Sequence, residues 1–138
     1  MAAVEEAGRR VAATVAKLAA ECGSTGELLR AHARLLAGWM QGSGFRNGCP
    51  ITTVLLELAP RERAVSEAGR KAYAARLSIL RDKLVADGFA RPRAEALAVL
   101  CTSALQGALI QARVERSRRP IEVTAGELAR LIEAERMS

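Results

Sequence analysis

The sequence predicts an all-α fold, an antiparallel bundle of about six helices in a single domain spanning residues 1–138. Three observations carry this expectation. Apolar residues recur at intervals of three, four and seven along most of the chain, the spacing that gathers them on one side of a helix. Half of the residues are apolar but only Trp39, Phe45, Tyr73 and Phe89 are aromatic, so the core must be built mainly from Ala, Leu, Val and Ile, side chains that suit close helix packing. One segment, 51–58, is β-branched enough to pass for a strand, and the chain offers no second strand for it to pair with. A chain of this length buries roughly 70% of its unfolded surface, enough for one core.

The first helix is expected over residues 2–20, with Val4, Val11, Val15 and Leu18 on one face and Glu5, Glu6, Arg9, Arg10 and Lys17 elsewhere on the cylinder. Gly23 can end it in the left-handed conformation. Ser24-Thr25-Gly26-Glu27 then reads as a capping box that starts the second helix, whose buried face should hold Leu28, Leu35, Leu36 and Trp39, with Met40 alongside. Gly42-Ser43-Gly44 stops it. Pro50 suits the first position of a short third helix, since its missing amide proton would have no partner there, and Ile51, Val54, Leu55 and Leu58 supply that helix's apolar side.

The longest amphipathic pattern covers residues 61–87, with Tyr73, Leu77, Leu80 and Leu84 on one face and Gly88 as its cap. Pro92 opens a fifth helix running to about Ser117, whose polar residues Glu95, Thr102, Gln106 and Arg113 fall on one narrow stripe. So little polar surface requires cover on more than one side, and a second subunit is the expected cover. Ala104, Ala108 and Ala112 would let another helix approach closely, with Leu105 and Leu109 adding contact area. Pro120 ends this segment, and Thr124-Ala125-Gly126-Glu127 reads as a second capping box before a last helix with Leu128, Leu131 and Ile132 on its apolar face. Paired across a two-fold axis, the last two helices of each subunit would make a four-helix dimer interface.

Charge and cysteine usage narrow the function classes. The formal charge is +6, from 21 Lys and Arg against 15 Asp and Glu, but the basic residues are dispersed. The densest group, Arg113, Arg116, Arg118 and Arg119, is interrupted by Glu115 and sits where a helix should end, a position where the dipole favours cations. Phosphate contact is the competing reading of that group. No run reaches the ~18 consecutive apolar residues of a membrane span, and Glu5 and Glu6 stand where a secretory signal would carry positive charge, so a cytoplasmic chain without membrane contact is expected. Cys22, Cys49 and Cys101 are widely spaced and lack histidine partners, which fits free thiols and no metal. No phosphate-binding glycine loop or paired-carboxylate motif is present, and no cofactor or enzymatic activity is expected. His32, the single histidine, has no serine, cysteine or acid at a catalytic spacing, leaving a structural role or a polar anchor in a cavity. Cys49 before a helix start is either packed or activated as a thiolate.

The segment Gly44-Phe45-Arg46-Asn47-Gly48-Cys49-Pro50 between two helices resembles the Gly-Cys-Pro segment of one branch of the tetracycline-repressor (TetR) family of bacterial transcriptional regulators, that of the lincomycin-resistance regulators. Helix order, residues 104–109 and residues 112–117 are also similar to the carboxy-terminal domain of that branch, over nearly the whole chain. In the family this domain follows three short helices that contain the DNA-reading helix-turn-helix, and residues 1–20 match the connecting helix after them. The resemblance therefore implies a homodimer that takes a small, apolar effector among its helices, acts as a repressor, and contacts DNA only through an amino-terminal domain lacking here. It leaves open a piece of a longer protein or a natural chain that has lost DNA binding. The helices that enclose the family's pocket carry Leu36, Trp39, Met40, Tyr73 and Leu77 as their largest inward residues, the expected ligand-binding set; these side chains serve equally well as ordinary core. The alternative is a stand-alone dimeric interaction protein. A cavity of a few hundred cubic ångströms would favour the sensor, and a solid core with a grooved surface the interaction protein.

Overall fold

A computed structural model describes residues 2–46 and 63–138. Five helices are present among them: α1 (Ala2–Glu21), α2 (Thr25–Gly42), α3 (Arg63–Ala86), α4 (Arg91–Glu115) and α5 (Arg119–Met137), and no strand. The expected short helix after Gly48-Cys49-Pro50, and Cys49 itself, lie outside the described residues. The expected fourth, fifth and last helices are therefore α3, α4 and α5.

The chief packing pairs are α1 with α3, α3 with α4, α4 with α5, and α5 with α2, which places α2 against every other helix. α1 and α3 run in the same direction: Gly8 sits so near Ala72 that a Cβ there would lie 3.0 Å from the alanine methyl, and further along Lys83 Nζ donates to the carbonyls of Ala19 (2.9 Å) and Cys22 (2.6 Å). α2 runs back along α1. α4 starts beside the end of α5, where Arg93 pairs with Glu135 at 2.6 Å, and the turn between α4 and α5 returns to the end of α2, where Arg118 donates to Gln41 Oε1 at 3.0 Å.

Local chemistry accounts for most boundaries. Ser24 caps α2, its Oγ accepting from the Glu27 amide at 3.2 Å, while Glu27 Oε2 accepts from the Gly23 amide at 2.8 Å rather than from Ser24 itself. Gly23 is not left-handed; the glycines that are, Gly44 (φ 66°) and Gly88 (φ 108°), follow α2 and α3. At Gly88 the chain closes with the Phe89 amide bonded to the Leu84 carbonyl. The second expected capping box does not form, because Thr124 lies inside α5. Pro120 occupies the first turn of that helix, a position that suits proline, and the helix starts at Arg119, six residues before the expected 125.

Three ends meet at one corner. Thr25, fully buried, donates both its amide (2.7 Å) and its hydroxyl (2.6 Å) to Asp87 Oδ2, so the carboxylate after α3 satisfies the start of α2. With Lys83 holding the last carbonyls of α1, this corner joins the end of α1, the start of α2 and the end of α3.

The core combines Val11 and Val15 of α1, Leu28, Leu29, Leu36 and Met40 of α2, Leu80 and Leu84 of α3, and the inner faces of α4 and α5. Trp39 departs from the expectation: it is 41% exposed, since the α2 face that packs inward is the one through Leu29, Ala33, Leu36 and Met40. By length and composition alone α4 could cross a bilayer, but its inner face is taken up by the bundle.

Candidate functional site

Two regions of the molecule are candidates for contact. The first is internal. Between α2, α3 and α4, with Val15 of α1 closing one side, lies a small chamber enclosing about 20 Å³. Leu28, Leu29 and Leu36 of α2, Leu80 of α3 and Leu105 of α4 form its apolar wall. Four polar side chains join them: His32, Arg76, Thr102 and Gln106.

His32 and Arg76 are both buried, and they face each other from α2 and α3. Burial, and second to it the charge of Arg76, push the His32 pKa down to about 4, so the imidazole is neutral at physiological pH and offers one donor and one acceptor. The Arg76 guanidinium also lies over the Tyr73 ring, 5.6 Å from its centroid. Thr102 and Gln106, one helical turn apart on α4, are half-buried and line the chamber. A chamber of this size holds about one water molecule, so a larger ligand must displace side chains to enter. By volume, the described core is closer to the solid interior with a grooved surface than to a cavity of hundreds of cubic ångströms.

Of the expected ligand residues, Leu36 lines the chamber. Met40 is buried in the core further along α2, and Tyr73 reaches the site through Arg76. Leu77 belongs to an open groove between α3 and α4, together with Ala98 and Val99. Trp39 borders another open groove of about 790 Å³, formed with Ala7, Arg10, Val11 and Thr14 of α1. Of the chamber's polar members the sequence offered His32, as a polar anchor in a cavity or a structural residue, but not Arg76, Thr102 or Gln106. The sequence groups Thr102 and Gln106 with Glu95 and Arg113 on one narrow polar stripe, and the structure divides it, leaving Glu95 and Arg113 exposed and the other two half-buried. A usable signal was present: Thr102 and Gln106 flank Leu105, and apolar residues stand on the opposite side of the helix.

Those apolar residues make the second region. Of the expected dimer residues, Leu105, Ala108, Leu109 and Ala112 of α4 and Leu128 and Ile132 of α5 are buried within the chain's own core, and Ala104 is half-buried. Leu131 alone is well exposed, at 61%. What α4 and α5 present outward is another stripe: Leu100, Gly107, Ile110 and Val114, spaced seven, three and four, with Val123 and Leu131 on α5. Ile110 is 58% and Val114 78% exposed. An a/d-like spacing on one face, with a glycine at its middle, suits a second helix laid along it.

Cys101 is buried, and burial pushes its thiol up to about 12, which keeps it protonated and unreactive. Among the described residues no three His, Cys, Asp or Glu side chains are grouped to hold a metal ion.

Comparison with known proteins adds what geometry alone does not. Residues 25–127 match the family described as "Transcriptional regulator LmrA/YxaF-like, C-terminal domain". The chain is also 36% identical to an uncharacterised HTH-type transcriptional regulator of Mycobacterium tuberculosis strain CDC 1551 / Oshkosh, and equally to one of the same description in strain H37Rv. Each alignment takes in 96% of this chain and 69% of the relative.

Proposed function

Because the chain belongs to the TetR family of transcriptional regulators, in its LmrA/YxaF-like branch, we propose that it is the effector-binding and dimerisation part of a cytoplasmic repressor that a small, mainly apolar ligand releases from DNA. The observation that carries the sensing half of this reading is the chamber between α2, α3 and α4, where neutral His32, Thr102 and Gln106 set hydrogen-bonding groups into leucine walls. Apolar walls with a few fixed polar groups are how proteins bind and orient small apolar molecules. The chamber's small volume gives the switch its physical form: a ligand that fits only the expanded arrangement shifts the population toward it. The outward stripe of α4 and α5 supports the homodimer.

Screening hydrophobic drugs, fatty acids and flavonoid-like aromatics by thermal shift tests the sensing half. A ligand at about 100 times its Kd adds roughly 2.7 kcal/mol, and Gln106→Leu should abolish the shift for a ligand that hydrogen-bonds there. Trp39 stands outside the chamber, so its fluorescence reports on the α1–α2 groove instead. The alternative is a dimeric interaction protein, favoured by the near-solid interior. Absence of any thermal shift across the panel, with the dimer intact, decides for it.

A further inference from the structure

Burying an arginine costs free energy that a leucine in the same place would not, so Arg76 in the wall of a leucine-lined chamber calls for a reason. Only 6% of the residue is exposed. The Tyr73 ring is one of its contacts, with the guanidinium 5.6 Å from the ring centroid. Its Nε, in contrast, is buried and donates to no acceptor among the described residues. A buried N–H in that state gains more than an exposed one from an acceptor brought to it.

The chamber's field has one sign. Arg76 is the only charged residue in the described lining, and its charge reaches across to α2, where it helps to hold the His32 pKa down at about 4. A cationic ligand would be repelled there, and a neutral one would leave the field unused. From α4, Thr102 and Gln106 bring a hydroxyl and a carboxamide to the same space, so an accepting group can be met from more than one helix.

We propose that the effector carries a carboxylate on its apolar body and that Arg76 selects it, the acid group lying between α3 and α4 and the body among the leucines. This rests on the effector reading above and adds the charge of the ligand to it. A carboxylate accepts hydrogen bonds through both oxygens and donates none, which suits the donors that Arg76, Thr102 and Gln106 supply. Its charge also offsets that of Arg76 in surroundings where water screens poorly.

The test compares an acid with its primary amide, which has nearly the same shape and no charge: octanoate with octanamide and naphthoate with naphthamide, by calorimetric titration near neutral pH. At least one acid should bind roughly 10- to 100-fold more tightly than its amide, the range of a hydrogen bond to a charged group. Arg76→Met, which removes the charge from a side chain of similar length, should bring acid and amide to equal affinity. Circular dichroism checks its fold. If it unfolds, Arg76→Lys, which keeps the charge but loses Nε, should narrow the preference, and the Nε–H resonance of Arg76 in the parent chain should shift with the acid and not with the amide. Amides that bind as tightly as their acids, or a preference that survives loss of Nε undiminished, overturn the inference and leave the effector reading standing. No binding of either acid, where a neutral compound of the hydrophobic panel does bind, does the same. If nothing binds, acid or neutral, the effector reading falls and this inference with it.

Discussion

At the scale of single residues, His32 links the interior to pH. Its folded-state pKa of about 4 lies below the ordinary 6.5, first because the ring is buried and second because Arg76 is near. As pH falls below ~6.5 the unfolded chain takes up a proton that the folded chain refuses until about pH 4, so this residue's contribution is intact at neutral pH and is lost through that window. The loss is on the order of 3 kcal/mol. Urea unfolding at pH 7 and near pH 4 should show it as a fall in stability that His32→Gln largely removes; an unchanged difference in the variant would mean that other groups drive acid unfolding. The sequence made His32 conspicuous, being the only histidine, but could not assign its state. That depends on Arg76, 44 positions away and brought against it only by the packing of α2 on α3.

Among the helices, α4 and α5 show how much a pattern can reveal and where it fails. The apolarity of α4 predicts that it is covered on more than one side, α5 shows a single apolar face, and the structure places one face of each in the core. Which stripe faces inward was not legible, because α4 has apolar residues nearly all around and the small residues Ala108 and Ala112 suit a tight contact within the chain as well as between chains. The same ambiguity hid which way Thr102 and Gln106 face. Helix limits, in contrast, were readable wherever a local bond fixes them, as at Ser24 and Gly88. The outward stripe makes a specific expectation. Ile110→Glu should convert a dimer to a monomer in sedimentation equilibrium without unfolding it, since the new charge is solvated once the partner leaves. Leu105→Glu should instead destabilise the subunit by about 4 kcal/mol or more, because it buries an unpaired carboxylate. Dimers of Ile110→Glu as tight as the parent would move the interface to another surface.

For the whole molecule, the corner made by Lys83, Thr25 and Asp87 fixes how the helices can move together. Asp87→Ala removes the one oxygen, Oδ2, that accepts both bonds from buried Thr25, and should lower stability by about 2 kcal/mol in urea unfolding. Thr25→Ala in the same background should then cost little more; two full, additive losses would show that the residues act separately. At the far end of α1 the contacts are of a different kind, with Gly8 resting on the methyl of Ala72 and a wide groove along the α2 side, and neither resists sliding as a charged bond does. A helix of 20 residues is about 30 Å long. With its polar tether to α3 at one end and only apolar contacts along the rest, α1 would pivot about Lys83 if it turned. A rotation of about 5° there would carry the opposite tip by about 2 to 3 Å. Displacement grows with distance from the fulcrum, so the motion is least where the helices are bonded together and greatest where α1 begins.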